Sequence, residues 1–282
     1  MKYKSDKQAT RIIRYLLTVI IVSAIFFICR YCNHYVEKDT RMPRDYAAIA
    51  EEGILRVTTE YNPVSFYTNG DTTSGFDYEL IQAFAHEKGL KVQFTPEISF
   101  NKRLKGLANG QYDIIAMGIP TIQELKDSLR LTLPIMLNRQ VLVQRKHNDS
   151  LQINSHLDLA GCTLHVVKGS PSILRVRNLG NEIGDTIYIK EVAKCSPDQL
   201  VKQVADGKID YAVCDENIAQ AIIDSFPQID ISKAISFTQF YSWAVSKKSP
   251  ALADSLNDWI SRFQKKKEYQ EIYRKYHPKS KD

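Results

Sequence analysis

The sequence predicts an α/β fold built from two similar lobes. From residue 54 onward, short apolar runs typical of strands alternate with segments of helical periodicity, which is the pattern of largely parallel sheets covered by helices. A ten-residue pattern also occurs twice, at residues 104–113 and 201–210. In each copy a helix end is followed by Ala, then Asn or Asp, Gly, two further residues and Asp before an apolar strand. A chance similarity between two α/β units is the alternative to a true repeat.

The individual elements follow from local patterns. Strands are expected where apolar residues cluster in short runs, and helices where apolar residues recur every three to four positions. Gly89, which follows one helical pattern, is a typical C-cap. The expected strands are residues 54–58, 91–95, 114–117, 140–144, 164–166 and 241–245, and the expected helices are residues 78–88, 102–108, 252–263 and 269–276.

Two of these strands have a special place in the chain. Residues 140–144 lie between the two halves, and residues 241–245 lie near the end. Two extended segments that cross between two lobes would form a hinge.

Residues 60–74 are expected to be a loop, because the Asn-Pro and Asn-Gly pairs in this segment are turn signals.

The formal net charge of +6 lies mostly at the N-terminus. The first 30 residues carry six lysines and arginines against the single acidic residue Asp6, so the rest of the chain is almost neutral. A nucleic-acid-binding domain is expected to carry a basic face on its folded part. Nucleic acid is therefore not an expected partner.

An apolar run over residues 15–29 predicts a transmembrane anchor at residues 15–31. A cleaved signal peptide and a buried helix of a soluble domain are the alternatives. Phe27 and Ile28 before Cys29, and the missing small-x-small motif, favour an anchor that is retained. Basic residues precede the run, which predicts cytoplasmic residues 1–14, a tether at 32–52 and the main domain in the periplasm. The tether is expected to include a short helix over residues 44–53, ended by Gly53. The expected location is the inner membrane, with a single pass.

Motifs for enzyme chemistry are missing from the sequence. Six histidines are scattered, and no nucleophile elbow, phosphate-binding glycine loop or H-E-x-x-H pattern occurs. Cys162, Cys195 and Cys214 lack metal-type spacing, and they are expected either to include one disulfide or to be small buried residues. We therefore expect a protein that is not an enzyme and has no metal or cofactor.

Several pieces in the right order resemble a known family. Residues 75–80, with the sequence GFDYEL, the two copies of the repeat and the helix start at residues 249–252 are similar to the bacterial extracellular solute-binding proteins of family 3. The resemblance covers about residues 53–277 and includes the solute-binding-like module of membrane-bound lytic transglycosylase F. The catalytic domain of that enzyme is not expected here, because the chain ends at Asp282.

The resemblance implies a periplasmic-binding-protein type II fold. Lobe 1 would comprise about residues 53–141 and 240–277, and lobe 2 about residues 142–239. The ligand would lie in the cleft between them, at the carboxyl ends of the strands.

The resemblance also implies the binding residues. Asp215 matches the aspartate that receives a ligand ammonium group, and Gly169 with Ser170 matches an anion-binding turn; helix capping is the alternative for both. Tyr61 and Phe66 are expected to stack on the ligand or to pack in their loop, and Gly118 offers backbone groups. The full set of candidate residues is Glu60, Tyr61, Phe66, Gly118, Thr121, Gly169, Ser170 and Asp215.

One departure from the family concerns the carboxylate of an amino-acid ligand. Amino-acid binders of this family usually carry an arginine where this chain has Leu125. Lys126 would replace it only with a shift of register, and as a point charge instead of a bidentate fork. Binding of ordinary α-amino acids is therefore not the expectation.

The expected function is that of a membrane-anchored solute-binding protein. It would clamp a small polar ligand, either amino-acid-like or a peptide or cell-wall fragment, for a transporter permease. The alternative is a regulatory or sensory module that works beside cell-wall enzymes in peptidoglycan metabolism. A cleft enzyme of the dehydratase type, using Asp215 and Glu216, is the third interpretation.

Overall fold

The computed structural model describes residues 15–25, 42–146 and 152–277. The predicted cytoplasmic segment, residues 26–31 of the predicted anchor and residues 32–41 of the predicted tether lie outside the described residues. Residues 15–25 form a helix, α1, which belongs to a unit separate from Met42–Asp282. Within the described ranges, no helix has both the length and the apolar character that crossing a membrane requires.

The second unit alternates strands and helices as predicted, and each strand or helix whose range was predicted lies within a few residues of its expected place. Its helices are α2 (Tyr46–Glu52), α3 (Phe76–Lys88), α4 (Phe100–Ala108), α5 (Gln123–Lys126), α6 (Ser172–Ile183), α7 (Pro197–Ala205), α8 (Glu216–Ile222), α9 (Pro250–Phe263) and α10 (Lys267–Tyr276). Its strands are β1 (Ile54–Thr59), β2 (Tyr67–Asn69), β3 (Thr72–Ser74), β4 (Lys91–Pro96), β5 (Ile114–Pro120), β6 (Arg130–Leu131), β7 (Met136–Asn138), β8 (Gln140–Arg145), β9 (Thr163–Val167), β10 (Tyr188–Val192), β11 (Ala212–Asp215), β12 (Ile229–Asp230) and β13 (Gln239–Val245).

Two sheets with the same strand order form the framework. The first has the order β4-β1-β5-β13-β6, with β7 also paired to β13, and the second has the order β10-β9-β11-β8-β12. In each, three strands run parallel and the next is antiparallel to them. The repeated segments lead from α4 to β5 and from α7 to β11, which are equivalent positions. The similarity of the two segments therefore reflects two units of the same topology.

The chain crosses between the sheets twice. Strand β7 of the first sheet ends at Asn138, and β8 of the second sheet begins at Gln140. The return passes from β12 through residues 231–238 to β13. The two segments predicted to cross form the strands β8 and β13, and the crossings lie just before them, at Arg139 and at residues 231–238. Each of the two strands is antiparallel to its neighbour in its own sheet. The exact lobe boundaries stay a prediction.

The folded unit begins earlier than the predicted boundary at residue 53. Helix α2 lies in the segment predicted to be a tether, yet its Ile49 is 0% exposed in the core. The Asp45 carboxylate accepts hydrogen bonds from the Tyr46 amide at 2.8 Å and from the Leu252 amide at 2.8 Å, which joins the starts of α2 and α9. The short helix predicted at the end of the tether is confirmed, and one buried isoleucine and one capping aspartate dock it onto the folded unit.

Two further expectations changed. Residues 60–74, expected to be a loop, contain the hairpin β2–β3, with Asn69 opposite Thr72. Cys162, Cys195 and Cys214 are free thiols, so none of them forms a disulfide. The interpretation as small buried residues holds for Cys195 and Cys214, whereas Cys162 is only partly buried.

Helix α9 closes the core of the first lobe with the predicted apolar stripe. Trp259 stacks on Phe263 with ring centroids 4.4 Å apart, and Phe84 of α3 meets Trp259 edge to face at 5.6 Å. Aromatic side chains bury large apolar areas, so this contact contributes strongly to the joining of α3 and α9.

The Gly-Phe-Asp start of α3 is held by three separate contacts. Gly75 has φ +145°, and a Cβ there would lie 2.3 Å from the carbonyl oxygen of Ser65. Its N–H donates to the Tyr276 hydroxyl of α10 at 2.9 Å. The Asp77 carboxylate accepts from the indole N–H of Trp243 in β13 at 2.6 Å. The motif therefore fixes α3 against a loop, the last helix and a hinge strand.

We predict that Gly75→Ala lowers the free energy of unfolding by about 3 kcal/mol or more, because both the backbone conformation and the close approach to Ser65 exclude a Cβ. Gly89→Ala is the matched control. Gly89 also has a positive φ, +67°, but its Cβ would meet nothing within 4 Å. The control should lose only about 1 kcal/mol. Urea unfolding measures both, and equal losses would contradict the steric account.

Candidate ligand-binding cleft

A cavity lies between the two sheets, where the parallel strands end. Glu60 follows β1, Gly118 lies near the end of β5, and Asp215 ends β11. The cavity itself has a volume of about 40 Å³, and the space free of atoms around it, open solvent included, is about 500 Å³. The carboxyl ends of strands in open α/β sheets are the usual ligand sites, because the connecting loops diverge there. The residues around the cavity are Glu60, Phe100, Arg103, Met117, Gly118, Pro120, Gln140, Val167, Ser170, Pro171, Ser172, Pro197, Val213, Cys214 and Asp215.

Asp215 brings to this cavity a carboxylate that pairs with no cation among the described residues. Asp215 stands at the N-cap position of α8, but its side chain makes no capping hydrogen bond. Its Oδ1 accepts from the hydroxyl of Tyr241 at 2.9 Å. The pKa of Asp215 is raised to about 7, mainly because burial disfavours the charged form. The negative charge of Glu60 acts in the same direction, and hydrogen bonds from Tyr241 and Gln140 act in the opposite one. Capping therefore does not explain this residue, since its carboxylate faces the cavity instead.

Glu60 is neutralised by an arginine that the sequence did not single out. The guanidinium Nη2 of Arg103 lies 3.0 Å from Glu60 Oε1, and the two side chains are 1% and 6% exposed. Arg103 also donates to the carbonyl oxygen of Glu97, and Asn62 Nδ2 donates to Glu60 Oε2 at 3.1 Å. Removing one partner of such a buried pair is costly, because the other charge is then left unpaired. Glu60 therefore neutralises the positive charge of Arg103 within the protein.

Several polar atoms around the cavity lack a hydrogen-bond partner. They are Arg103 Nε, Gln140 Oε1 and Ser170 Oγ, all buried. Buried polar groups in native proteins are nearly always hydrogen-bonded to protein, water or a ligand. These atoms are therefore ready to bind a polar molecule in the cavity.

Half of the candidate residues line this cavity. They are Glu60, Gly118, Ser170 and Asp215. A Cβ on Gly118 would lie 2.4 Å from the methyl carbon of Met136, so Gly118 also allows close packing. Whether these four contact a ligand stays a prediction.

Gly169 lies beside the cavity, and its amide is already occupied. The N–H donates to Glu191 Oε2 at 3.0 Å, and a Cβ would lie 2.6 Å from Asn101 Nδ2 of the facing lobe. An anion would have to displace the Glu191 carboxylate from this turn. The predicted anion-binding turn is therefore held by an internal carboxylate.

The three remaining candidates do not line the cavity. Tyr61 is 46% exposed, and its hydroxyl lies 3.3 Å from that of Thr68. Phe66 is buried against two aromatic rings of α3 and β4. The Thr121 hydroxyl lies 3.1 Å from that of Ser242. Local packing accounts for these positions, because each side chain has a partner on a neighbouring element.

Leu125 stands where the resemblance implies an arginine, and its side chain is half-buried against an apolar cluster that contains Phe100. Arg103 and Gln140 are two polar cavity residues that sequence reasoning missed. A signal for Arg103 was present, since it lies between Phe100 and Leu107 on the buried face of α4. A charged residue within an apolar stripe is a reason to expect a buried ion pair.

Within the described ranges, no cluster of three or more histidine, cysteine, aspartate and glutamate side chains is placed to hold a metal ion.

Comparison with known proteins identifies the family. Residues 54–279 match the bacterial extracellular solute-binding proteins, family 3. The chain belongs to this family.

Curated relatives carry one recurring name. The chain is 26% identical over 236 residues to the membrane-bound lytic murein transglycosylase F of Photobacterium profundum, covering 84% of this chain and 44% of that protein. It is 30% identical over 199 residues to the protein of the same name from Aeromonas hydrophila, covering 71% of this chain and 39% of that protein. This chain thus spans less than half the length of these two relatives.

Solved structures are similar over the same region. An ancestral arginine-binding protein bound to arginine aligns with a TM-score of 0.70 and 28% identity, covering 79% of this chain and 98% of that chain. The likeness agrees with the two-lobed periplasmic-binding-protein type II fold described above.

We predict that Asp215→Asn removes part of the pH dependence of stability. The pKa of Asp215 is about 7 in the folded state, whereas that of an aspartate in the unfolded chain is about 3.9. The stability from this group therefore falls as the pH rises between these values and is constant above them. Asp77, whose pKa burial raises to about 6, acts in the same direction in both proteins.

Thermal unfolding at pH 5 and pH 8 measures the effect. The wild type should lose more stability between the two values than Asp215→Asn does. Asp254→Asn, at an exposed position of α9, is the control and should behave as the wild type. Identical pH dependence of wild type and Asp215→Asn would contradict a buried, protonated Asp215.

Proposed function

We propose that this protein binds a small amino-acid-like ligand through a positively charged nitrogen held by Asp215. The observation that carries the proposal is a carboxylate in the cavity that neither caps α8 nor pairs with a cation of the described residues. A ligand ammonium or guanidinium group would supply the missing charge and replace the proton that Asp215 holds.

The charge balance of the cavity supports a cationic ligand. Its charged lining residues are Glu60, Arg103 and Asp215, and the first two neutralise each other. Asp198, one residue after the lining residue Pro197, adds negative charge and has a buried carboxylate oxygen without a partner. An enclosed cavity with net negative charge favours a cation. The similar ancestral structure is named for arginine, which has such a charge.

Lobe closure is the proposed mode of binding. The cavity has walls from both sheets, and the lobes are joined at Arg139 and residues 231–238. Asn101 of α4 faces Gly169 of the other lobe, and Tyr241 reaches Asp215 across the hinge. Bending at two short connections would open the cavity, and ligand bound to both walls would favour the closed form.

The biological role has two candidates. Delivery of the ligand to a transporter permease is the first, and it agrees with the family. Regulation or sensing in peptidoglycan metabolism is the second, and the shared name of the curated relatives favours it. We propose for either role that residues 15–31 anchor the chain in the inner membrane and that the binding domain lies in the periplasm.

Cleft catalysis is not proposed. The Asp215–Glu216 pair was the only candidate for acid–base chemistry. Glu216 instead forms an ion pair with Arg139, with Oε1 and Nη2 2.5 Å apart, and does not line the cavity. A single carboxylate remains, which is suited to binding a cation.

We predict that Asp215→Asn weakens the binding of L-arginine by roughly 30-fold or more, because the enclosed charge pair is lost while the shape of the side chain is kept. Asp210→Asn is the matched control, since Asp210 lies just before β11 and pairs with Arg145 at 2.6 Å, away from the cavity. Titration calorimetry at pH 8 measures both. Wild-type affinity in Asp215→Asn, with a lower melting temperature, would make Asp215 a structural residue and refute the assignment.

A further inference from the structure

A second cavity borders the first on the hinge side of the cleft. The two share the lining residues Pro120, Gln140 and Pro171. Asp215 lines only the first, whereas Phe237 lines only the second. The two cavities therefore border each other at Gln140, and a molecule bound at Asp215 would have to pass Gln140 to reach this flanking subsite.

Phe237 is an unusual residue for a protein surface. Its side chain is 89% exposed, in the connection between β12 and β13. Half-buried Ile122 and Leu174 also line the subsite, so apolar groups come from three segments of the chain. A large exposed aromatic ring beside a binding cavity suits an apolar group of a ligand, because both lose contact with water when they meet.

Gln140 marks the junction of the two cavities with an unused acceptor. The residue is buried, its Nε2 donates to Ser172 Oγ at 3.1 Å, and its Oε1 has no partner. An N–H of a ligand at this point would satisfy that oxygen. The amide N–H of a peptide is such a donor, and a free amino acid has none at the same distance from its ammonium group.

The cavities offer no free cation to a ligand carboxylate. Arg103 is paired with Glu60, and Arg175 is bound in a bidentate manner by Glu182 at 2.6 and 2.9 Å. These are the arginines that line the cavities in the part of the chain described, and no lysine lines them. A carboxylate there would lose its hydration without gaining a charge partner. A peptide carbonyl is neutral and could accept from the unpartnered Arg103 Nε.

We propose that the cleft takes the ammonium end of a peptide in preference to a free amino acid, with the second residue in the flanking subsite against Phe237. This inference rests on the proposed binding of a cation by Asp215. It assigns Gln140 to the first peptide N–H and makes Phe237 the residue that selects an apolar second side chain.

Three probes separate the contributions. L-arginine has the ammonium group and a free carboxylate, L-arginine amide replaces the carboxylate by a neutral amide, and L-arginyl-L-phenylalanine adds an apolar second residue. Titration calorimetry with the full-length chain at pH 7, where the α-amino groups of all three probes are largely protonated, should show the amide binding at least about tenfold more tightly than the amino acid, which corresponds to ~1.4 kcal/mol. The dipeptide should bind more tightly still.

Phe237→Ala tests the subsite directly. The substitution should lower the affinity for the dipeptide by about tenfold and leave the affinity for the amide unchanged. Phe240→Ala is the matched control: Phe240 is also well exposed, at 56%, but lines neither cavity, so the affinity for all three probes should be kept.

The outcomes distinguish this inference from the function on which it rests. If L-arginine binds as tightly as its amide and the dipeptide, and binding depends on Asp215, the cation-binding function stands and the peptide subsite is refuted. Equal dipeptide affinity in wild type and Phe237→Ala refutes the role of Phe237. If none of the three probes binds, both proposals fail.

Discussion

The hydrogen bond from Tyr241 to Asp215 joins the two sheets at the place where a ligand would lie. Tyr241 belongs to β13 of the first sheet, and Asp215 ends β11 of the second. The Tyr241 hydroxyl is neutral, so this bond supplies no positive charge, and no cation of the described residues pairs with Asp215. Burial is therefore the main reason that the pKa of Asp215 is raised to about 7. The sign of the expected ligand charge depends on this one carboxylate, because Glu60 and Arg103 cancel each other.

Asp215 lies at the cleft because the two sheets have the same strand order and meet at the ends of their parallel strands. Two sheets of equal strand order are linked by the short crossing at Arg139 and by the return through residues 231–238. The carboxyl ends of β1 and β5 therefore face those of β9 and β11 across one cavity. A cleft made in this way has a wall on each lobe, which is the arrangement that a hinge-bending clamp requires.

Features with a local cause were predictable from the sequence. The turn at Gly89, the stripe on α9 and the repeat before β5 and β11 each depend on neighbouring residues. Arg103 was missed because its burial depends on Glu60, which lies far away in the chain. Thr121, predicted to bind ligand, does not line the cavity for a related reason, since its hydroxyl meets Ser242 of a strand more than 100 residues later. Side-chain direction at a strand end is fixed by such tertiary pairing.

A titration of the Asp215 carboxyl carbon by NMR tests the central claim most directly. In the ligand-free protein the pKa of Asp215 should lie near 7. Saturation with L-arginine amide should lower it, because a cation beside the carboxylate stabilises the charged form. An ordinary aspartate pKa of about 3.9 in the free protein, or a value near 7 that ligand leaves unchanged, would contradict a cation-binding role for this cleft.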